Sequence, residues 1–484
     1  MENFWDFNVW GTFNLLAVLM GSLLIANVLR KSIPFLRNSL IPTSVLGGGI
    51  LILVAAIFKL ITGQVMFDTA FFGGNGTAIL ETLTYHCLAL GFIASAFKPS
   101  KGKLTKKRTS EIFNTGVTTV STYLLQGIFG LGITIVAALI IAGFFPAAGI
   151  LLPFGYGQGT GQAMNYGTIF ENDYAFSGGK SFGLAVAALG FISASIGGVI
   201  HLNVLRHRGK IRVQTEEKIE QSPAHTHKPI SEMIDRLTVQ VALIFVAYLL
   251  AYLLMFLLGR LLPGMKSVIY GFNFLLGVLT ATLIKLLLEL IGKKSATHRD
   301  YTDAFLMTRA SNFFFDVMIV AGIAAIRFST IDRYWGILLI LGAVGLVITF
   351  IYNRFIAKKL FPEYAEEQFL AMYGMLTGTA STGIILLREI DGDFVTPASD
   401  NLVYQNFPAI VFGFPMMLLA ALAPKKPILT LLIFVALFAV MNVILFRSVI
   451  FRRRKKAGGR SDGPEGTESA AAGETGAAQE IESE

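Results

Sequence analysis

Thiols are almost absent from this chain. Its 484 residues include a single cysteine, Cys87, so an intramolecular disulfide and a multi-cysteine metal motif are both ruled out. Charge is scarce too. Asp, Glu, Lys and Arg make up 15% of the residues, against about 25% in a soluble globular chain. There is no His-Glu-x-x-His and no Walker loop, which argues against metal-dependent hydrolysis and against ATP-driven work by this chain alone. No nucleophile–base arrangement is recognisable, and an enzyme is not expected. A cleavable signal peptide is not expected either, because the first apolar block is long enough to stay as a helix.

What the chain does have is apolar length. Hydrophobic residues are 54% of the total, with 40 Phe and 49 Gly. They come in blocks of roughly 20, enough to cross about 30 Å of hydrocarbon as helix, and they lack the alternation of a transmembrane barrel. Spans are predicted near 9–29, 40–61, 78–98, 114–143, 181–205, 236–261, 267–291, 304–326, 333–356, 398–423 and 427–450. The net charge of +9 fits cationic loops facing the cytoplasm better than nucleic-acid binding. Residues 451–484 open on Arg452-Arg453-Arg454-Lys455-Lys456 and continue in Gly, Ala, Glu and Ser, the composition of a disordered tail.

Two short stretches organise the rest. Tyr156-Gly157-Gln158-Gly159-Thr160-Gly161-Gln162-Ala163 and Tyr373-Gly374-Met375-Leu376-Thr377-Gly378-Thr379-Ala380 both read Tyr-Gly-x-x-Thr-Gly-x-Ala. Each follows the fourth span of its half and precedes a fifth. Spans starting near 9, 40 and 78 recur near 236, 267 and 304. The layout expected is therefore all-α and polytopic: two five-helix repeats (1–205 and 236–423), each with a Gly-rich hairpin (near 147–172 and 366–392), joined by a cytoplasmic linker at 206–235. An extra C-terminal helix follows at 424–450, then the tail at 451–484. If Met1 lies outside and each octet segment dips in without crossing, the main Lys/Arg clusters face the cytoplasm: Arg30/Lys31/Arg37, 98–108, the linker, Lys293/Lys294/Arg299, Arg354/Lys358/Lys359 and the tail. An odd number of crossings per half makes the repeats inverted, with re-entrant hairpins entering from opposite sides.

Glycines at 157, 159 and 161, with Pro153, weaken a continuous helix. A break at membrane depth exposes carbonyls for a cation and amides for a carboxylate. Gln158, Gly159, Thr160, Gly161, Gln162 and Asn165 surround the first break. Thr377, Gly378, Thr379, Ser381 and Thr382 surround the second. Hard oxygen donors of this kind suit an alkali cation. The alternative is that the glycines only let helices pack closely. In the span at 304–326, Arg309, Asn312 and Asp316 lie on one helical face, with Asp316 deepest and a candidate cation ligand or protonatable group; the alternative is a structural ion pair. Arg309 meets a substrate or only snorkels to the interface. Arg388 is either the rim of the second hairpin or a bidentate partner for a carboxylate. Lone His86 reads as a packed, hydrogen-bonded histidine.

With Ile41-Pro42-Thr43-Ser44-Val45-Leu46-Gly47-Gly48-Gly49, Gly157-Gln158-Gly159-Thr160-Gly161, Ile169-Phe170-Glu171 and the twin octet at Tyr373, the chain resembles the sodium/glutamate symporter family over roughly residues 9–423. The resemblance implies two inverted five-helix halves with re-entrant hairpins, a homodimer in the plasma (inner) membrane, and Na⁺-coupled uptake of an acidic amino acid. The carboxylate is then expected at Gln158, Gly159, Thr160, Gly161, Gln162, Asn165, Thr379, Ser381, Arg309 and Arg388. The coupling ion, Na⁺, is expected at Thr160, Thr377, Gly378, Asn312 and Asp316. Where that family's first hairpin reads Gly-Gly-His-Gly-Thr-Gly, this chain has Tyr156 and Gln158, which leaves the substrate open. The alternatives are a Na⁺- or H⁺-coupled transporter of another organic anion or amino acid, with Asp316 as proton carrier, and a transporter-derived sensor or binding protein.

Overall fold

The computed structural model describes residues 3–98, 105–209, 235–294, 302–327, 332–392 and 395–447. Most of the expected linker and the tail at 451–484 lie outside the described residues. Among the described residues every regular element is a helix, and ten helices are long and apolar enough to cross a membrane. The chain is an all-α, multi-pass membrane protein.

In chain order the main helices are α1 (Phe7–Ser32), α2 (Thr43–Thr62), α3 (Gly76–Ala96), α4 (Lys106–Ile140), α5 (Leu151–Tyr174), α6 (Gly179–His207), α7 (Arg236–Leu261) and α8 (Asn273–Lys294). They continue as α9 (Ala304–Ala324), α10 (Trp335–Leu360), α11 (Ala365–Thr377), α12 (Ala380–Arg388), α13 (Ala398–Tyr404), α14 (Asn406–Ala420) and α15 (Pro427–Leu445). Local chemistry sets several starts. Asp235 accepts from the amides of Leu237 and Thr238, and Asp303 from those of Phe305 and Leu306, satisfying donors that a helix leaves free at its first turn. Thr105 caps α4 in the same way through the Arg108 amide, so α4 begins eight residues before the span expected at 114–143. The span expected at 398–423 is not one helix: it divides at Gln405 into α13 and α14. Pro408 has no amide to give the Tyr404 carbonyl, so the hydrogen-bond ladder cannot run across that point.

Both octets lie where the chain doubles back. In α5 the helix breaks at Gly159, and the rings of Phe154 and Tyr166 stack across the break with centroids 3.9 Å apart. Neighbouring contacts give the same direction reversal. The arm at 151–158 runs antiparallel to α4, with Gly130 against Gly149 and Tyr123 against Gly157. The arm at 160–174 runs antiparallel to α6, with Gly167 against Gly179 and Ala163 against Gly183. The second octet turns at Gly378 between α11 and α12; a methyl placed on Gly374 would lie 2.7 Å from the Gly383 Cα.

The two hairpins start at opposite ends of α4. Thr134, near its C-terminal end, donates to the Pro146 carbonyl at 2.7 Å. Near its N-terminal end Lys107 pairs with Glu363 at 2.7 Å and Thr115 accepts from Gln368. Charges secure the outer ends. Lys180 pairs with Glu81 at 2.9 Å beside the first hairpin; beside the second, Arg354 pairs with Glu366 at 2.5 Å, His201 hydrogen-bonds the same carboxylate at 2.7 Å, and Arg206 pairs with Glu389 at 3.4 Å.

The double-back is testable by crosslinking. In a Cys87→Ser background, Phe154→Cys and Tyr166→Cys should form an intramolecular disulfide under mild oxidation, read by mass spectrometry of the linked peptides. In a straight helix these residues would stand about 18 Å apart, and failure to link them would overturn the hairpin.

Candidate functional site

The tips of the two hairpins meet. A methyl built on Gly159 would lie 3.2 Å from Thr379 Cγ2 and 3.8 Å from the Gly378 carbonyl oxygen. Gly159 has φ 76° and ψ −168°, a region open essentially to glycine alone. The break in the second hairpin comes at Gly378 and Thr379. In the octet alignment this is two to three positions later than the first, because Gly159 corresponds to Leu376.

A break in a helix frees carbonyls that must find donors. Here α4 provides them on both sides. Tyr123 donates its hydroxyl to the Gly157 carbonyl at 3.0 Å, and Gln126 donates its amide to the Leu376 carbonyl at 2.9 Å. Each of these carbonyls sits two residues before its break. The twin tyrosines share an anchor as well. The Tyr156 hydroxyl donates to the Gly342 carbonyl at 2.7 Å and lies 2.8 Å from Ser193 Oγ, while Tyr373 donates to the Ser193 carbonyl at 2.7 Å. Both tyrosines are fully buried.

Of the expected substrate residues, the structure gathers Gln158, Gly159, Thr160, Gly161, Gln162, Asn165 and Thr379 around the tips. Thr160 is fully buried and donates to the Met318 carbonyl of α9 at 3.3 Å; Gly161 packs on Leu88 of α3 and on Met318. Asn165 donates to the Gly271 carbonyl, which can only accept, and that fixes its amide. The same amide nitrogen donates to Gln162 Oε1 at 3.1 Å. The Nε2 of Gln162 is thereby left buried without a partner, as is the Nε2 of Gln158. The first tip therefore presents two amide groups whose N–H bonds are unused, a donor set suited to a carboxylate. Thr379 and Gln158 are the partly exposed residues there. Ser381 lies on the first turn of α12, and its side chain is outside what is described.

Two expected arginines stand apart. Arg388 ends α12, nine residues beyond Thr379, or about 13 Å along the axis. Arg309 stacks over the Phe305 ring with its guanidinium carbon 5.0 Å from the centroid. The expected Na⁺ ligands also split into two groups. Thr160, Thr377 and Gly378 are at the tips, where Thr377 donates to the Tyr373 carbonyl at 2.6 Å. Asn312 and Asp316 are on another face of α9: Met318 and Gly322 face the hairpin, whereas Asp316 has Ser44 of α2 as its polar neighbour. The spacing of Asn312 and Asp316 fixes a shared face, but that face is turned away from the hairpin tips and both residues are exposed. Among the described residues no group of three or more His, Cys, Asp or Glu is placed to hold a metal ion. Nearby, His86 hydrogen-bonds the Tyr248 hydroxyl at 2.7 Å.

Sequence reasoning passed over α4. Its buried polar side chains Thr115, Thr119, Thr122 and Gln126 recur at intervals of three to four residues, a helical stripe readable in advance. At the start of α4 a cavity of about 320 Å³ is lined by Lys107, Glu111, Asn114 and Tyr364. Hydrogen bonds lead inward from it. Asn401 donates to the Tyr364 hydroxyl at 3.1 Å and to Gln368 Oε1 at 3.0 Å; Gln368 donates to Thr115 at 3.2 Å; and Thr119 donates to Gln405 Oε1 at 2.9 Å. Gln405, at the division between α13 and α14, carries this network to Met375 of the second octet.

Comparison with protein-family models and with curated proteins returns no match.

The strain at the first tip sets a measurable expectation. Gly159→Ala should destabilise the protein by about 1–3 kcal/mol, seen as a lower unfolding midpoint in detergent, whereas Gly132→Ala, with open space around that position, should leave it nearly unchanged. Equal stability in the two variants would mean that the tip is not held as described.

Proposed function

We propose that this chain is a secondary active transporter that couples Na⁺ to the uptake of glutamate or a related small carboxylate. The observation that carries the reading is the meeting of two hairpin tips from opposite ends of the bundle, with the unused amides of Gln158 and Gln162 at the junction. Broken helices meeting near mid-bundle are how transporters expose backbone and side-chain groups to a solute while keeping the remaining polar groups paired.

The packing supports two inverted repeats. α1 packs on α2 as α7 packs on α8; α2 packs on α9 as α8 packs on α3; α4 packs on α14 as α10 packs on α6. Helices α3 and α9, and likewise α4 and α10, pack on their own counterparts, as a two-fold relation between the halves would require. In this reading the protein is a homodimer in the plasma membrane with its N-terminus outside and its C-terminus cytoplasmic. Gln158 and Gln162 hold the substrate carboxylate, and Thr379 faces it from the other tip. The hairpins move with α3 and α9, which pack on the first tip. Na⁺ supplies a positive charge that favours the substrate-binding state, and by reciprocity bound substrate favours Na⁺.

Proteoliposomes holding the purified protein should accumulate labelled glutamate under an inward Na⁺ gradient and fail to do so when choline replaces Na⁺. Gln158→Met removes a donor that has no partner in the folded chain, so its unfolding midpoint should be unchanged or higher. A hydrogen bond to a charged group contributes about 1.5–3 kcal/mol, so the same variant should raise the half-saturating substrate concentration roughly 10- to 150-fold. Glutamate uptake indifferent to Na⁺, or a Gln158→Met variant with unaltered affinity, would refute the assignment.

A further inference from the structure

The first turns of α4 carry more length and charge than a membrane span needs. The helix has 35 residues, about 52 Å, roughly 20 Å more than the hydrocarbon of a bilayer. Its charged residues, Lys106, Lys107, Arg108 and Glu111, all lie at this end, so the surplus length stands at headgroup depth here. α15 runs antiparallel beside it and finishes at the same level. Asn442 donates to Ser121 Oγ at 3.1 Å, and Arg447, just past the end of α15, donates to Asn114 Oδ1 at 3.1 Å. A cavity of about 400 Å³ opens in this joint, lined by Lys106, Thr109, Ser110, Phe113 and Arg447.

The four α4 residues of that lining stand at i, i+3, i+4 and i+7, one face of a helix. Polarity falls inward along it: the Lys106 ammonium, then the hydroxyls of Thr109 and Ser110, then the Phe113 ring, which packs on Phe412 of α14 with centroids 5.6 Å apart. Arg447 forms the facing wall, its guanidinium carbon 4.8 Å from the Phe113 centroid. No carboxylate lines the cavity. Those on neighbouring turns are engaged elsewhere, Glu363 by Lys107 and Glu111 by Arg108, each at 2.7 Å. Arg447 hydrogen-bonds neutral acceptors, Asn114 Oδ1 and the Ile444 carbonyl, and no carboxylate among the described residues meets its charge. Two cations and two hydroxyls facing one space call for an anion with several oxygens, and a phosphate is such a group.

We propose that this cavity is a binding site for an anionic phospholipid. The phosphate diester sits between Lys106 and Arg447, the hydroxyls of Thr109 and Ser110 donate to its oxygens, and the start of an acyl chain lies against Phe113. The order of groups favours a lipid over free phosphate: charge outermost, hydroxyls next and an aromatic wall innermost repeat the sequence of headgroup, glycerol and chain. Basic pockets between membrane helices at headgroup depth take such ligands. A lipid bound there bridges α4 and α15, and so braces the helix that serves both hairpin breaks.

The test is fluorescence quenching of the full-length protein in phosphatidylcholine nanodiscs. Trp5→Phe, Trp10→Phe and Trp335→Phe remove the native tryptophans, and Phe113→Trp places a single one on the cavity wall. Each Lys or Arg near a bilayer surface enriches anionic lipid about fivefold. Brominated phosphatidylglycerol should therefore quench as though roughly 25-fold enriched over brominated phosphatidylcholine at the same mole fraction. Lys106→Gln, a change at an exposed side chain, should lower that enrichment about fivefold, and so should Arg447→Gln. Arg447→Lys, which keeps the charge, should retain most of it, and Lys31→Gln, a basic residue on another helix, should leave it unchanged. Equal quenching by the two lipids, or an enrichment that survives both Lys106→Gln and Arg447→Gln, would overturn the site. Relief of quenching by millimolar inorganic phosphate would show a free anion as the occupant and overturn the lipid.

Discussion

The architecture depends on how two broken helices are kept satisfied inside an apolar bundle. A carbonyl freed in hydrocarbon has no water to turn to, and an unpaired polar group there costs several kcal/mol. α4 resolves this at both breaks with residues one turn apart. Tyr123 holds the Gly157 carbonyl and Gln126 holds the Leu376 carbonyl. Once one helix serves both breaks, its position is fixed relative to both hairpins. Its remaining polar side chains are then drawn into the centre of the molecule, where Thr115 and Thr119 extend the network toward α11 and α13. The long, early-starting α4 and the division of the chain at Gln405 belong to the same arrangement.

Charge is used sparingly and at the periphery. The ion pairs Lys180–Glu81, Arg354–Glu366 and Arg206–Glu389 sit at the outer ends of the hairpins, while the side chains meeting at the tips are amides, hydroxyls and a thioether. Burying an ionised group is costly unless it is paired. A centre made of neutral polar groups avoids that cost.

The sequence announced some of this and concealed the rest for identifiable reasons. Blocks of apolar residues located nearly every long helix, because spanning length and composition are local properties. The two octets marked the two turns, because tyrosine, glycine and threonine recur there for shared tasks: the tyrosines both reach Ser193, and the glycines permit close approach. Similarity of pattern did not fix the break itself, which falls at Gly159 in one copy and at Gly378 in the other. Asn312 and Asp316 share one face of a helix, yet whether that face meets the hairpins is a tertiary matter: both stand exposed, and Met318 on another face is the residue that touches the first tip. The tenth span failed as a single helix because a hydropathy window does not register the amide missing at Pro408. The role of α4 escaped notice because threonines in a membrane helix commonly satisfy their own backbone, as Thr118 and Thr122 do here. Only the fold shows that Thr119 and Gln126 also reach across.

Ser193 meets the hydroxyl of Tyr156 through its side chain and that of Tyr373 through its carbonyl, so the two tyrosines do not compete for it. The descending arm of one hairpin and the rising arm of the other are thereby tethered to a single residue of α6. A pull on either arm along the bundle axis is passed to the other within a few bond lengths, without a long relay of side chains. The two arms therefore act mechanically as one crossbar carried by α6, and large relative sliding between them requires one of these bonds to break first.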